Sequence, residues 1–212
     1  MADARAIDAV VFDVGHVLIE WDPRHLYRRV FTNPDMTTDE ARMAWFLAEV
    51  CSPAWNVEQD RGRSIADAEA EALSRHPDMG PAIRSYYGRF QMMIPGAIEG
   101  TVQVLKSLKG AGMPVHGLTN FGAETFPQTR RRFDFLNLFD TVVVSGEEGV
   151  IKPDPKIYEI LIDRAGLNPS RTAFVDDSAR NVEAAQGLGF HAYLFKGADG
   201  FRNWLKGLGA PV

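Results

Sequence analysis

Hydrophobic and polar positions along this chain fall into three regimes. From Ala9 the run Ala-Val-Val-Phe is apolar without alternation, the pattern of a strand buried on both faces. Between about Ile19 and Ile94 the apolar positions recur at helical spacing. Asp22-Pro23 predicts a helix start, with Asp as cap and Pro in the first turn. Thr37 with Glu40 reads as a capping box ahead of a helix over Ala41–Val50. Ser64 predicts the cap of a helix over Ile65–Arg75, ending before Pro77. Ile83, Tyr86, Tyr87 and Phe90 share one face of a helix over Pro81–Met93. The block has the size of a small four-helix bundle.

From Pro95 strands and helices alternate. Val102, Leu105 and Leu108 mark a helix that stops at Gly110 or Gly112, and a strand over Pro114–Leu118 follows. A basic helical region lies around Gln128–Arg132. Thr141–Val144 is a strand of β-branched residues. The loop Gly149 to Pro155 leads into a helix over Lys156–Ala165. Thr172–Val175 is a strand, Ala179–Leu188 a helix, His191–Phe195 a strand and Phe201–Leu208 a closing helix.

This order predicts an α/β fold, a Rossmann-like core with a central parallel sheet and helices on both faces. The helical block interrupts it after the first strand. The expected division is a core of residues 1–18 and 95–212 and an all-helical inserted domain of residues 19–94. In such sheets ligands bind at the carboxyl ends of the strands. The polar residues expected at those ends are Asp13, Thr119-Asn120, the Lys152 loop and Asp176-Asp177. Singly, each has an ordinary structural use: a turn Asp, a capping Thr, a surface Lys, an Asp-Asp helix cap. Together they put several carboxylates, a hydroxyl and an amine on one edge. Clustered carboxylates repel unless a cation neutralises them, and a few hard oxygen ligands suit Mg²⁺ with a substrate phosphate. A carboxylate beside the metal can attack phosphorus, and a hydroxyl and a lysine can balance the charge on the transferring oxygens. The residues alone point to Mg²⁺-dependent phosphoryl transfer.

Composition narrows the partners. The 212 residues are 45% hydrophobic and 24% charged, enough for a substantial core. A net charge of −5 argues against nucleic acid or an anionic membrane as the main partner. Cys51 is the only cysteine, so no internal disulfide forms, which suits a reducing, cytoplasmic setting. The stretch Met1–Asp8 is acidic and lacks the apolar core of a signal peptide. No run of residues is long and apolar enough to span a membrane.

The motifs carry a resemblance. Val-Phe-Asp-Val-Gly-His-Val-Leu, Gly-Leu-Thr-Asn, Gly-Val-Ile-Lys-Pro and Phe-Val-Asp-Asp-Ser-Ala-Arg-Asn-Val-Glu-Ala-Ala occur in that order. Over essentially its whole length the chain resembles the haloacid dehalogenase superfamily, in the subfamily with a helical cap after the first strand. The resemblance implies that Asp13 is the nucleophile, that Thr119 binds the phosphoryl group, and that Lys152 stabilises nucleophile and intermediate. It implies Asp13, Asp177, Asp176 and the backbone carbonyl of Gly15 as metal ligands for Mg²⁺, and a small phosphate ester as substrate.

One position departs from the pattern. Phosphatases of the superfamily carry a second Asp two residues after the nucleophile, for acid–base work; here it is Gly15. Dehalogenases lack that Asp too, but they need no metal and their fourth motif is Ser-Ser-Asn, so Asp176-Asp177 favours the metal-dependent branch. The first motif looks most like the Asp-x-Gly-Asn-Val subgroup, which includes sugar-phosphate phosphatases, with His16 in place of the Asn. A 2-haloacid dehalogenase and a phosphate-binding protein with weak turnover are the alternatives. His16 is either a substitute acid–base or a loop histidine. Asn120, Trp21 and Trp55 are expected to shape the substrate pocket; most other cap aromatics read as core.

Overall fold

The computed structural model describes residues 6–212. Met1–Arg5, part of the stretch read as lacking a leader pattern and of the expected core, lie outside the described residues. Strands β1 (Ala9–Phe12), β2 (Val115–Thr119), β3 (Thr141–Val144), β4 (Thr172–Asp176) and β5 (His191–Leu194) form one parallel sheet in the order β3-β2-β1-β4-β5. The unbroken apolar runs follow from burial on both faces. Val10, Phe12, Val115, Ala173 and Val175 enter one core layer, while Val11, Leu118, Val143 and Phe174 enter the other. Each such Val, Leu or Phe contributes about 1.5–3 kcal/mol by leaving water.

The insertion after β1 holds five helices, α1 (Arg24–Val30), α2 (Glu40–Trp45), α3 (Pro53–Asp60), α4 (Ile65–Arg75) and α5 (Gly80–Gly88). The rest belong to the sheet layers: α6 (Glu99–Gly110), α7 (Phe126–Arg132), α8 (Ser145–Glu148), α9 (Pro155–Ala165), α10 (Ala179–Gly187) and α11 (Ala198–Gly207). Helices α6 and α11 cover the first layer through Leu105, Leu108, Phe201 and Leu205, and α9 covers the second through Ile157, Tyr158 and Leu161.

Several local expectations need correction. The capping box at Thr37 does not form. The Thr37 hydroxyl bonds Asp35, and Asp39 caps α2 by accepting from the Arg42 amide at 2.9 Å. The helix expected over Ala41–Val50 leaves α geometry at Trp45 and closes with a π turn, Phe46–Val50. The helix expected over Pro81–Met93 breaks at Arg89 into α5 and a 3₁₀ turn, Phe90–Met93. Ser64 caps α4 as expected, accepting from the Asp67 amide.

The two connections between insertion and sheet run side by side. Ile19 bridges Ala97 in antiparallel fashion, the Glu20 amide donates to Gly96 O (3.0 Å), and the Ile98 amide donates to Leu18 O (2.8 Å). The apolar core runs continuously from the sheet through Leu18 and Ile19 into Leu26, Tyr27, Phe46 and Tyr86 of the insertion. Among the described residues no helix is long and apolar enough to cross a membrane.

Candidate active site

The sheet order reverses direction at β1, with β2 on one side and β4 on the other. Loops leaving these strands diverge and open a crevice at their carboxyl ends. Asp13 follows β1 directly; its amide donates to Val175 O at 2.9 Å, which extends the strand pairing by one residue. The turn then closes at His16, whose φ of 55° is left-handed. The left-handed position of the turn is thus His16 and not Gly15. A Cβ added at Gly15 would meet nothing within 4 Å, so neither backbone nor neighbours demand glycine there.

Lys152 is the hub. Its ammonium donates to Leu118 O at 2.8 Å and to Asp176 Oδ2 at 2.6 Å, and pairs with Asp13 Oδ1 at 2.9 Å. Its side chain is 1% exposed. An ammonium survives such burial only with this full set of oxygen partners. Asn120 fixes the loop that carries it: Asn120 Oδ1 accepts from the Lys152 amide (2.8 Å) and Nδ2 donates to Lys152 O (3.0 Å). Asp176 Oδ1 accepts from the Ser178 amide and from Asn181 Nδ2, each at 2.9 Å, so this wholly buried carboxylate is an anchored inner partner. Asp177, next along, stands exposed toward the crevice.

Carboxylate oxygens of Asp13, Asp176 and Asp177 lie within 4.8 Å of one another. Burial pushes Asp13 up, to about 7, with the charges of Asp176 and Asp177 adding to it and Lys152 opposing. Asp177, although exposed at the crevice, is raised by partial desolvation and then by the charge of Asp176. With all three carboxylates ionised, as a bound cation requires, one ammonium leaves two negative charges uncompensated. A donor set of hard oxygens with that charge fits a divalent cation such as Mg²⁺.

A cavity of about 250 Å³ lies over this cluster. Its floor is Asp13, Gly15, Asn120, Lys152 and Asp177; Trp21, His16 and Phe121 stand at its sides. Its roof comes from the insertion: Asn56, Gln59 and Asp60 of α3, Tyr87 of α5, and Phe90. The structure thus brings Asp13, Lys152, Asp176 and Asp177 together. It puts Trp21 and Asn120 on the cavity wall, although both amide atoms of Asn120 are engaged by Lys152. Thr119 ends β2 beside them, buried, with no surface on the cavity. Trp55 corrects an expectation. Its indole N–H donates to Ala68 O (3.2 Å) and its ring packs on Tyr86 and Tyr87, so it belongs to the core of the insertion and does not reach the cavity.

Asp60 went unnoticed in the sequence. It ends α3 just before Arg61-Gly62, where an Asp is ordinarily a solvated turn residue. Here burial pushes its carboxyl up, to about 7. Among the described residues no cation pairs with it: Arg61 reaches Glu58, and Arg63 reaches Glu71. Asn181 was also missed as a cavity residue, though it lies within the fourth motif.

A family model described as haloacid dehalogenase-like hydrolase matches residues 7–189. The chain is 40% identical over 182 residues to the sesquiterpene phosphatase astK of Aspergillus oryzae, covering 85% of this chain and 86% of that protein. A HAD-like family hydrolase from Porphyromonas gingivalis superposes with a TM-score of 0.74 at 24% identity, over 96% of this chain and 98% of that one. A HAD family enzyme of Bacteroides thetaiotaomicron in a magnesium complex superposes with a TM-score of 0.73 at 19% identity, over 95% and 100%. At these identities the two structures establish likeness of fold.

Proposed function

This chain belongs to the haloacid dehalogenase-like hydrolases, and from that premise we propose that it is a Mg²⁺-dependent phosphatase of small phosphate monoesters, acting through an aspartyl phosphate on Asp13. The observation that carries this reading is the charge balance at the sheet's switch point, where Asp13, Asp176 and Asp177 exceed Lys152 by two negative charges. A 2-haloacid dehalogenase has no use for that excess. The phosphatase relative points the same way.

Asp13, Asp177, the backbone carbonyl of Gly15 and, directly or through water, Asp176 would hold the ion. When bound, Mg²⁺ neutralises the carboxylates and polarises the phosphoryl oxygens. The remaining work falls to the chain. Lys152 holds the Asp13 carboxylate in one orientation by its 2.9 Å contact and stabilises charge on the transferring oxygens. Thr119, at the end of β2, is the hydroxyl that the family resemblance offers for the phosphoryl group, although it lies buried and off the cavity wall. Asn120 keeps Lys152 in place through its loop. The insertion, residues 19–94, acts as a cap domain hinged at Ile19–Trp21 and Met93–Gly96, and its α3 and α5 exclude water from the closed cavity.

A second reading concerns the organic half of the substrate. Trp21, Tyr87, Phe90 and Phe121 give the cavity an aromatic wall, and the relative of 40% identity is named a sesquiterpene phosphatase. Both favour an apolar, terpenyl-type ester over the sugar phosphate suggested by the first motif.

The test is release of inorganic phosphate from a panel of terpenyl, sugar and aryl monophosphates, with Mg²⁺ and with excess chelator, and of halide from 2-haloacids. Phosphate release that chelation abolishes and Mg²⁺ restores is the expected result. Full activity in chelator, or halide release alone, contradicts the reading. Higher kcat/KM on sugar phosphates than on terpenyl phosphates contradicts the second reading only.

A further inference from the structure

We propose that Asp60 is the general acid–base of this site, supplied from the cap in place of the aspartate that Gly15 does not provide. The inference rests on the phosphatase reading above. In-line attack by Asp13 places the leaving oxygen on the far side of phosphorus from the sheet. Asp13 lies on the cavity floor, and Asp60 lies on the roof of the same cavity. The acid is thus on the side where the leaving oxygen emerges. Gly15 offers no side chain, although a Cβ there would meet nothing within 4 Å.

The chemistry of Asp60 suits the role. On its own helix Asn56 Nδ2 donates to it at a long 3.5 Å. The facing groups are Tyr86 and Tyr87 of α5, both pushed up chiefly by burial, so both stay neutral. Glu58 and Arg61 pair with each other, Arg63 pairs with Glu71, and Glu148 of the neighbouring α8 pairs with Arg164. Across the cavity stand His16, Asp13, Lys152 and Asp177. Asp60 also ends α3, where the helix carbonyls disfavour a negative charge. Burial raises its carboxyl to about 7, where it gives and takes a proton near neutrality.

In the first step an Asp13 oxygen bonds to phosphorus. The bond from phosphorus to the ester oxygen breaks, its electron pair stays on that oxygen, and the Asp60 proton passes to it as the alcohol leaves. In the second step Asp60 carboxylate takes a proton from water as the water oxygen bonds to phosphorus. The phosphorus bond to Asp13 breaks, freeing phosphate and the Asp13 carboxylate.

The test is a leaving-group series from alkyl to nitroaryl phosphates, in Mg²⁺, on the parent, Asp60→Asn, Asp60→Glu and His16→Asn, with thermal melts alongside. Asp60→Asn is expected to lower kcat on alkyl phosphates about 10²–10⁴-fold, with KM little changed and nitroaryl phosphates largely spared. It should also remove the fall in alkyl-ester activity above about pH 7. Asp60→Glu should restore part of the alkyl activity. Equal loss on every ester, a change confined to KM, or a leaving-group-dependent loss in His16→Asn but not in Asp60→Asn overturns the proposal. A parent that releases phosphate from no ester overturns the phosphatase reading and this proposal with it.

Discussion

Replacing Lys152 by Met removes the ammonium and keeps most of the stem. In the parent the ammonium is 1% exposed and contacts Asp13 Oδ1 at 2.9 Å, Asp176 Oδ2 at 2.6 Å and Leu118 O at 2.8 Å. The Asp176 side chain is 0% exposed and that of Asp13 is 11%. The variant leaves two buried carboxylates facing each other without a cation. Breaking a buried pair in this way costs about 3–5 kcal/mol. For a chain of this size each kcal/mol moves the melting temperature by about 2–4 °C, so the midpoint should fall by roughly 6–20 °C in metal-free buffer at pH 8. The loss should shrink on acidification. Asp13 is already raised to about 7 by burial, and losing Lys152 removes what opposed that rise. A carboxyl raised in the folded state stabilises the fold while protonated and ceases to as pH climbs through its folded value. The variant should therefore regain stability between about pH 8 and pH 5. Saturating Mg²⁺ should also restore part of it, about 2.7 kcal/mol at a hundredfold excess over Kd. Calorimetry across pH, with and without Mg²⁺, measures all three. A midpoint within about 2 °C of the parent, or a loss indifferent to both pH and Mg²⁺, would refute the view of Lys152 as the buried counter-ion of this site.

Three further outcomes follow from the same geometry. Asp60→Asn should stabilise the protein by about 1–2 kcal/mol above pH 7, after discounting for partial solvent screening, and by nothing near pH 4; urea melts at both values check this. Gly15→Asp should fold normally, because the position is open and its backbone is not left-handed, and when added to Asp60→Asn it should flatten that variant's dependence of kcat on leaving group; an unchanged or steeper dependence counts against it. Replacing Ile19–Ile94 by a short linker should leave a sheet domain without selectivity among phosphate esters, and retained selectivity would remove the cap as the specificity element.

The sheet was legible because β1 and β4 are buried on both faces and carry apolar runs, and because a carboxylate or hydroxyl closes β1, β2 and β4. Asp13, Lys152, Asp176 and Asp177 were legible for the same reason: strand ends in a parallel sheet have a defined location. The cap was legible as helix and less so in detail. Thr37 and Glu40 have the spacing of a capping box, but Asp39 lies closer to the first free amides and takes over. Ala41–Val50 keeps helical periodicity through a π turn that no local pattern marks. Trp55 and Trp21 look alike in sequence, yet Trp55 packs on Tyr86 and Tyr87 while Trp21 lines the cavity. Asp60 was illegible because its significance comes from sharing a cavity with Asp13, a residue far from it in the chain.

The proposed chemistry turns on the identity of the nucleophile. The most direct measurement is mass mapping of the acid-quenched protein, stopped during turnover of a nitroaryl phosphate in Mg²⁺. One phosphate is expected, carried by Asp13, gained within a turnover, lost on hydroxylamine treatment and absent from folded Asp13→Asn. A phosphate on any other residue, or full turnover by Asp13→Asn, would contradict it.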